Sequence, residues 1–393
     1  MGKVNISRRG MLLGAACSLA AHPLSTTMTF ASAPWSPRLV VIILRGAMDG
    51  LDVVQPYGDP LLAGYRPTLK TGPDHQAVDL DGFFAMHGRL AGLAPMWQAG
   101  ELGFAHAVST PYRDKRSHFD GQDLLEAGTG MDVGPGAARG GWLNRFLQTV
   151  PGVRAETAFA VGNDDMRILG GPAPKLRWAP EVDVELTPQA ELLLGHVYAH
   201  DPLFGPAAEK GMELARNIDR EKLPLLANGE KQEPLAAFAA AQLKAETRIA
   251  SYSLKGWDTH QKQGSSIARS LSKLERSILT LQEGLGKVWG ETLVLAMTEF
   301  GRTVAENGSR GTDHGTGGAM VMAGGALRGG KVFGQWPGLE EAALYARRDL
   351  MPTADVRSYA AWAMRNLYRL DRGTLEGAIF PGLEMGNDPG FVA

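Results

Sequence analysis

Short, continuous runs of apolar residues recur along most of this chain. The first occupies residues 38–44, and five similar runs follow at 102–108, 157–161, 249–254, 292–297 and 319–323. Hydrophobicity that is continuous rather than alternating is typical of strands buried on both faces of a parallel sheet. The pattern therefore predicts a mostly parallel central sheet built from these six strands.

Helical patterns lie between the runs. One apolar stripe has the 3.6-residue spacing of an amphipathic helix and comprises Ile267, Leu271, Leu274, Ile278, Leu281 and Leu285. A second helical pattern runs from Val356 to Leu367, and Asp355 precedes it as a suitable N-cap. Strands that alternate with helices predict an α/β fold in which helices cover both sides of the sheet.

The stretch from about residue 187 to 247 has a different pattern. It predicts three helices, at 190–199, 211–220 and 233–248, and no strand. We interpret it as a helical insertion that packs on the sheet edge or over the functional site of the domain. Residues 34–393 are then expected to form a single domain.

The first 33 residues are typical of an export signal. Arg8 and Arg9 precede an apolar run at 11–21, which is too short to span a bilayer. The segment from Ser7 to Leu12 resembles a twin-arginine signal, whose pathway exports folded proteins, and an ordinary secretory signal is the alternative. Ala31-Ser32-Ala33 resembles a cleavage site. We therefore expect a location in the periplasm or outside the cell, with the twin-arginine translocase as the partner during export.

Composition and charge narrow the class of protein further. The net charge of −2 and the pI near 6.5 lack the excess positive charge that is typical of nucleic-acid-binding proteins. Cys17 is the only cysteine and lies in the signal, so disulfide and thiol chemistry are not expected afterwards; lipid attachment at Cys17 is an alternative that Gly14 disfavours. After residue 33 no apolar run approaches the ~20 residues of a membrane helix, which predicts a soluble mature chain.

Reactive side chains follow the predicted strands. Asp49 follows the first strand, and the run at 102–108 leads to Ser117 and His118. Three later motifs are Gly256-Trp257-Asp258-Thr259-His260, Thr298-Glu299-Phe300-Gly301-Arg302 and Gly311-Thr312-Asp313-His314-Gly315. In open parallel sheets, ligands bind beyond the carboxyl ends of the strands. We therefore expect these side chains to meet at one edge of the sheet.

Each of these residues also has a structural interpretation when it is taken alone. Asp49-Gly50 is typical of a turn, Ser117 of a helix N-cap, and Asp258 of a capped loop. Asp313 and His314 are harder to explain by packing, since they lie inside a glycine-rich loop. Taken together, the carboxylates and imidazoles form a ligand set that suits zinc or manganese.

Taken in order, these motifs together with Arg45-Gly-Ala-Met-Asp49-Gly50 and Ser117-His118-Phe119-Asp120 resemble the DUF1501 family. That family comprises exported bacterial proteins of unknown function and is similar to a branch of the alkaline phosphatase and sulfatase superfamily. The resemblance covers nearly the whole mature chain. It implies an alkaline phosphatase-like three-layer α/β/α sandwich with a mostly parallel central sheet.

The resemblance also implies roles for single residues. Ser117 would be the nucleophile, and His118 would act beside it. One metal ion would be held by Asp258, His260 and His314, while Asp49, Ser117 and Glu299 would face a second. Asp313 is a further candidate ligand. The candidate partners for an anionic group are Arg45, Arg113, Arg116 and Arg302, together with Lys115.

The chain departs from the superfamily pattern at two places. Asp258 and His260 are two residues apart rather than four, and Phe300 follows Glu299 where a histidine ligand is usual. His118 is the candidate replacement for that histidine. The departures leave open whether one divalent ion binds or two.

The sequence supports one leading function and two alternatives. The leading function is a metal-dependent hydrolase of phosphate or sulfate esters, acting on a small anionic substrate. The first alternative is a catalytically degenerate protein of the same fold that binds a metal, an anion or a partner protein in the envelope. The second is a structural role in assembling envelope proteins.

Overall fold

The computed structural model describes residues 28–32, 35–131, 140–150, 158–161, 166–173, 176–178, 224–245 and 247–393. Within them the strands are β1 (Met28–Ser32), β2 (Arg38–Arg45), β3 (Val54–Gln55), β4 (Val78–Asp79), β5 (Ala85–Met86), β6 (Leu102–Ser109), β7 (Ala158–Val161), β8 (Leu176–Trp178), β9 (Thr247–Lys255), β10 (Thr292–Met297), β11 (Gly318–Ala323), β12 (Val332–Phe333) and β13 (Ala354–Asp355). The six apolar runs of the sequence correspond to β2, β6, β7, β9, β10 and β11, so the predicted strands are confirmed.

The helices of the described residues are α1 (Gly50–Val53), α2 (Leu62–Tyr65), α3 (Ala94–Gln98), α4 (His118–Ala127), α5 (Trp142–Gln148), α6 (Pro234–Lys244), α7 (Gln263–Leu285), α8 (Val356–Tyr368) and α9 (Arg372–Thr374). Shorter 3₁₀ turns occur at Pro73–His75, Gly88–Leu93, Arg167–Leu169, Gly286–Glu291 and Glu341–Ala343, and a π turn at Leu375–Ile379. None of these helices is both long and apolar enough to cross a membrane.

The central sheet is mixed, with a parallel core. Its strand order is β12-β6-β11-β10-β2-β9-β1-β7-β8, and β13 also pairs with β6. The three central strands β10, β2 and β9 are mutually parallel. The short strands β3, β5 and β4 form a separate sheet. The mostly parallel sheet predicted from continuous apolar runs therefore holds for the core of the molecule.

Strand β11 runs antiparallel to both of its neighbours, β10 and β6. It follows β10 through the loop 298–317 with no intervening helix, and a strand that returns without a crossover must run antiparallel. The amino end of β11 consequently lies at the same edge as the carboxyl ends of β2, β6, β9 and β10. We call this edge the carboxyl rim.

Two apolar layers enclose the sheet. Alternate residues of β2 face opposite sides: Leu39 and Val41 pack into one core cluster, while Val40 and Ile42 pack into the other. Helices α5 and α8 cover the first face, and α6 and α7 cover the second. The structure is therefore a three-layer α/β/α arrangement, as expected.

Helices α7 and α8 follow the sequence pattern closely. All six residues of the predicted apolar stripe in α7 are buried. Helix α8 begins after Asp355, whose side chain accepts a hydrogen bond from the Arg357 N–H at 2.9 Å and so satisfies one free donor of the first turn. Both predicted helices are confirmed.

Two predictions fall partly outside the described residues. The helices expected at 190–199 and 211–220 lie outside them, and the third helix of that segment is α6, which ends at Lys244 before β9 begins. Strand β1 belongs to the predicted signal 1–33 and pairs antiparallel with β9 and β7. The cleavage point after residue 33 stays a prediction.

Candidate metal centre

Four side chains bring ligand atoms together at the carboxyl rim. The Nε2 atoms of His118 and His314 each lie 3.3 Å from Asp258 Oδ1, and the Nε2 atom of His260 lies 3.0 Å from the same oxygen. The two nitrogens His260 Nε2 and His314 Nε2 are 2.9 Å apart. The ligand atoms of His118, Asp258 and His314 all lie within 4.8 Å of one another, so this group can hold a metal ion.

Each histidine of this cluster is fixed through its other ring nitrogen. His118 Nδ1 lies 2.8 Å from Glu299 Oε1, and His260 Nδ1 lies 3.1 Å from Asp313 Oδ1. His314 Nδ1 lies 2.9 Å from the carbonyl oxygen of Arg116. Because carboxylate and carbonyl oxygens only accept hydrogen bonds, each Nδ1 carries the proton in a neutral ring. All three Nε2 lone pairs then point into the cluster.

Three converging lone pairs repel one another unless a proton or a cation lies between them. His118 Nε2 shows this most clearly, because the atom is buried and none of the described residues donates a hydrogen bond to it; its neighbour at 3.3 Å, Asp258 Oδ1, is itself an acceptor. An imidazole that donates from one nitrogen to a carboxylate and presents the other to a cation is the usual arrangement in protein metal sites. The donor set therefore fits a divalent ion.

Arg302 holds Asp258 and the loops around it. Its guanidinium lies 2.6 Å from Asp258 Oδ1. It also donates to the carbonyl oxygens of Ala47, Trp257 and Thr312, which belong to three different rim loops. Burial alone would raise the pKa of Asp258, but the hydrogen bond and charge of Arg302 outweigh it and lower the pKa to about 2. Asp258 is thus ionised and ready to bind a cation.

Glu299 is completely buried beneath His118. Its Oε1 accepts hydrogen bonds from the backbone N–H groups of Gly46 and Ala47 at 3.0 and 3.1 Å, and from Gln122 Nε2 at 3.0 Å. Burial would raise the pKa of Glu299, but the hydrogen bonds from His118 and Gln122 overcome burial and lower it. The His118 pKa is raised, first by its hydrogen bond to Glu299.

Aromatic rings form one wall of the cluster. The ring of Phe300 stacks on that of His118, with centroids 5.3 Å apart and planes 18° apart, and on that of Tyr112 at 5.8 Å. Phe300 also lies 5.3 Å from the ring of His314. The residue that stands where a histidine was expected therefore packs against two histidines of the cluster.

Close approach of the rim loops depends on glycine. A Cβ atom on Gly46, whose φ is +118°, would lie 2.6 Å from the backbone nitrogen of Asp258. A Cβ on Gly315 would lie 2.3 Å from the carbonyl carbon of Arg302. Such distances are far below van der Waals contact, so these positions exclude any side chain. The glycine-rich motifs are needed to bring the loops together.

The structure places the six predicted metal ligands in three different settings. Asp258, His260 and His314 lie in the cluster, where His118 is the fourth member. Asp313 and Glu299 instead contact the outer nitrogens of His260 and His118. Asp49 lies against Arg66, with which it forms a salt bridge of 2.7 Å.

The predicted nucleophile and anion partners lie around the same rim. Ser117 is the N-cap of α4, and its hydroxyl accepts a hydrogen bond from Asp120 N at 3.4 Å. Arg45 pairs with Glu126 at 2.6 Å, and Arg113 donates to the Tyr112 carbonyl at 2.7 Å.

Arg302 is likewise committed to carbonyl oxygens and Asp258, as described above. Arg116 is exposed and lines a small cleft beside the cluster, together with Tyr112, Asp114, Phe300, Gly315, Thr316 and Asp349. Of the four predicted anion-binding arginines, it is the one best placed to reach a ligand from solvent.

Three site residues were not predicted from the sequence. Arg66 and Gln263 contact Asp49, and Gln122 contacts Glu299. Gln122 is four residues after His118 on α4, so helical spacing was a usable signal for it. Arg66 and Gln263 reach the site from separate parts of the chain, and no local pattern indicates them.

The fold and this cluster together define an α/β protein with a candidate histidine and carboxylate metal centre at the carboxyl rim of its sheet. A family model described as "Protein of unknown function (DUF1501)" matches residues 100–360. The chain belongs to this family, as its motifs indicated.

Comparisons with curated proteins and with solved structures add little to this assignment. No curated protein matches the sequence. Among solved structures, the integral membrane protein lipooligosaccharide phosphoethanolamine transferase A (EptA) from Neisseria meningitidis is similar with a TM-score of 0.33 and 12% sequence identity. The match covers 90% of this chain and 60% of that one. At this TM-score, the fold assignment rests on the sheet order and the two helical layers described above.

Proposed function

We propose that this protein is an exported, metal-dependent hydrolase of phosphate or sulfate esters. The observation that carries the proposal is the convergence of three imidazole Nε2 atoms on Asp258 Oδ1, with every Nδ1 held by an acceptor. A structural role alone does not require three imidazole lone pairs to face one another around one carboxylate oxygen.

Charge supports a divalent ion at this position. Asp258, Glu299 and Asp313 carry three negative charges, and Arg302 supplies one positive charge, which leaves an excess of two negative charges when the histidines are neutral. A divalent cation neutralises that excess. Imidazoles combined with a carboxylate favour zinc, and manganese is the second choice.

In this proposal the protein side chains hold and surround the reacting group. A divalent ion at the cluster would polarise an ester oxygen and lower the pKa of a water molecule. Arg116 lines the cleft beside the cluster, and both it and its chain neighbour Lys115 are exposed, so they can provide positive charge for the anionic ester. Phe300 and Tyr112 exclude water from one side.

The test combines metal analysis with turnover. The purified chain, reconstituted with zinc or manganese, should contain bound metal and hydrolyse chromogenic phosphate or sulfate esters. His314→Ala should lower metal affinity on the order of 100-fold or more and abolish turnover, since it removes a direct ligand. His75→Ala is the matched control, because His75 is exposed and its 3₁₀ turn lies outside the cluster. Wild-type protein without bound metal would contradict the proposal.

One observation favours a second candidate. Arg45, Arg113 and Arg302 are engaged with protein acceptors, so fewer cationic donors remain for an ester than the sequence indicated. The alternative is a metal-binding envelope protein of the same fold that has no hydrolytic activity. Stoichiometric metal without turnover on any phosphate or sulfate ester would support this alternative.

A further inference from the structure

We infer that this chain holds one metal ion rather than two, and that the guanidinium of Arg66 supplies the second positive charge at the rim. The inference rests on the proposed function, since it concerns the same site. It starts from the three side chains that the superfamily resemblance assigns to a second ion, namely Asp49, Glu299 and Ser117.

The carboxylate of Asp49 is fully engaged by protein donors. Arg66 Nη1 lies 2.7 Å from Asp49 Oδ2, and Arg66 Nη2 lies 3.0 Å from Asp49 Oδ1. Gln263 Nε2 donates to Oδ2 at 2.5 Å and also to Asp52 at 2.9 Å, while Leu51 N donates to Oδ1 at 3.2 Å. Both oxygens that a metal would need are therefore occupied by N–H groups.

The guanidinium that pairs with Asp49 is fixed from its other side. Arg66 Nε donates to the Val304 carbonyl at 2.9 Å, and Nη2 donates to the Thr303 carbonyl at 3.0 Å. The side chains of Arg66 and Asp49 are 0% and 1% exposed. A planar guanidinium held by two carbonyls and a bidentate carboxylate is a permanent, immobile cation.

Glu299 is completely buried and is held by protein donors through one of its oxygens. Its Oε1 accepts four N–H groups, including that of His118. Its Oε2 lies 3.0 Å from the hydroxyl oxygen of Thr298, which also donates to the Leu44 carbonyl at 2.8 Å. Ser117, the third side chain, uses its hydroxyl to cap α4. The residues present thus do not fit a second ion.

A fixed guanidinium differs from a metal ion in what it can do. It neutralises Asp49, but it cannot coordinate a water molecule or exchange with solution. In this chain, metal-assisted chemistry at the rim then depends on the single centre formed by His118, Asp258, His260 and His314.

The decisive experiment is the metal count of the intact chain. Protein reconstituted with excess zinc and then freed of unbound metal should contain one ion per chain by elemental analysis. Two ions per chain would overturn the inference and leave the proposed function standing. No ion would overturn the proposed function and the inference with it. The wild-type count decides between these outcomes without any variant.

Variants test the role of Arg66 itself. Arg66→Met leaves Asp49 buried and unpaired, so the melting temperature should fall on the order of 5 °C or more. The double variant Asp49→Asn with Arg66→Met should recover much of that loss and still bind one zinc ion. If the double variant, shown to be folded by circular dichroism, binds less than half of the wild-type zinc, Asp49 is a ligand and the inference is wrong.

Discussion

At the scale of single residues, Ser117 is where the resemblance and the geometry differ most. The resemblance makes it a nucleophile, whereas its hydroxyl accepts the hydrogen bond from Asp120 N that caps α4. Because Asp49, which would hold the second ion needed to activate this hydroxyl, is engaged by Arg66 and Gln263, we expect water to be the attacking group.

Substitution of Ser117 separates the two roles. Ser117→Ala should cost about 1 kcal/mol of unfolding free energy, because an N-cap is lost, and Ser117→Gly should cost only a few tenths. Both variants should retain most of the ester hydrolysis of the wild type. Denaturant unfolding and steady-state kinetics measure these effects. Loss of turnover in two stable variants would instead identify Ser117 as the nucleophile.

His106 offers a residue-scale prediction that is independent of the metal. Its Nε2 lies 3.0 Å from the Val54 carbonyl and its Nδ1 accepts a hydrogen bond from Ala107 N, which fixes a neutral ring. Burial lowers the pKa of His106 to about 4. The unfolded chain has a histidine pKa of about 6.5. Between the two pKa values, His106 is therefore protonated in the unfolded chain and neutral in the folded chain.

Stability should consequently fall as the pH drops from about 6.5 to about 4, by roughly 3 kcal/mol from this group, and His106 should contribute no slope above that range. His106→Gln should remove this part of the pH dependence, as measured by urea unfolding at a series of pH values. The exposed His75→Gln is the control and should keep it. An unchanged slope in His106→Gln would contradict the assignment.

At the scale of elements, the rim depends on how closely the loop after β2 approaches the loop after β9. Gly46 allows this approach through its positive φ of +118° and its lack of a side chain. The same loop supplies the N–H groups of Gly46 and Ala47 that hold Glu299. A substitution of Gly46 that moves this loop should therefore displace Glu299 and, through it, His118.

Gly46→Ala should destabilise the protein by more than about 1 kcal/mol, since both strain and a backbone clash result, and should weaken metal binding. Gly64→Ala is the matched control, because Gly64 lies in α2 and an added Cβ there would meet nothing within 4 Å. It should be neutral or slightly stabilising. Equal stability and equal metal affinity in the two variants would show that the close approach is unimportant.

The strands and the amphipathic helices were predicted well from the sequence. Burial of a strand on both faces produces a continuous apolar run, and burial of one helix face produces apolar residues at helical spacing. The proximity of Asp258, His260 and His314 was also predicted from the sequence, since Asp258 and His260 follow a strand and His314 precedes one at the same edge of the sheet. The direction of β11 was not predicted, since it depends on the absence of a crossover between β10 and β11. The pairing of Asp49 with Arg66 was not predicted either, since it depends on the path of the segment after α2, which places the Arg66 guanidinium against Asp49.

At the scale of the whole molecule, export through the twin-arginine pathway remains a prediction from residues 1–33. Replacing both Arg8 and Arg9 by lysine should leave the protein in the cytoplasm, because that pathway reads the arginine pair. Cell fractionation and immunoblotting measure the result. The single change Lys3→Arg is a suitable control, and normal export of the double lysine variant would contradict the prediction.

The metal centre is the central claim, and its four side chains come from the loop after β6, the loop after β9 and the loop between β10 and β11. The most direct measurement is anomalous diffraction at the zinc absorption edge from crystals of the reconstituted protein. We predict one anomalous peak within about 2.0–2.3 Å of Asp258 Oδ1 and of the Nε2 atoms of His118, His260 and His314. A peak between Asp49 and Glu299, or no peak at the histidine cluster, would contradict it.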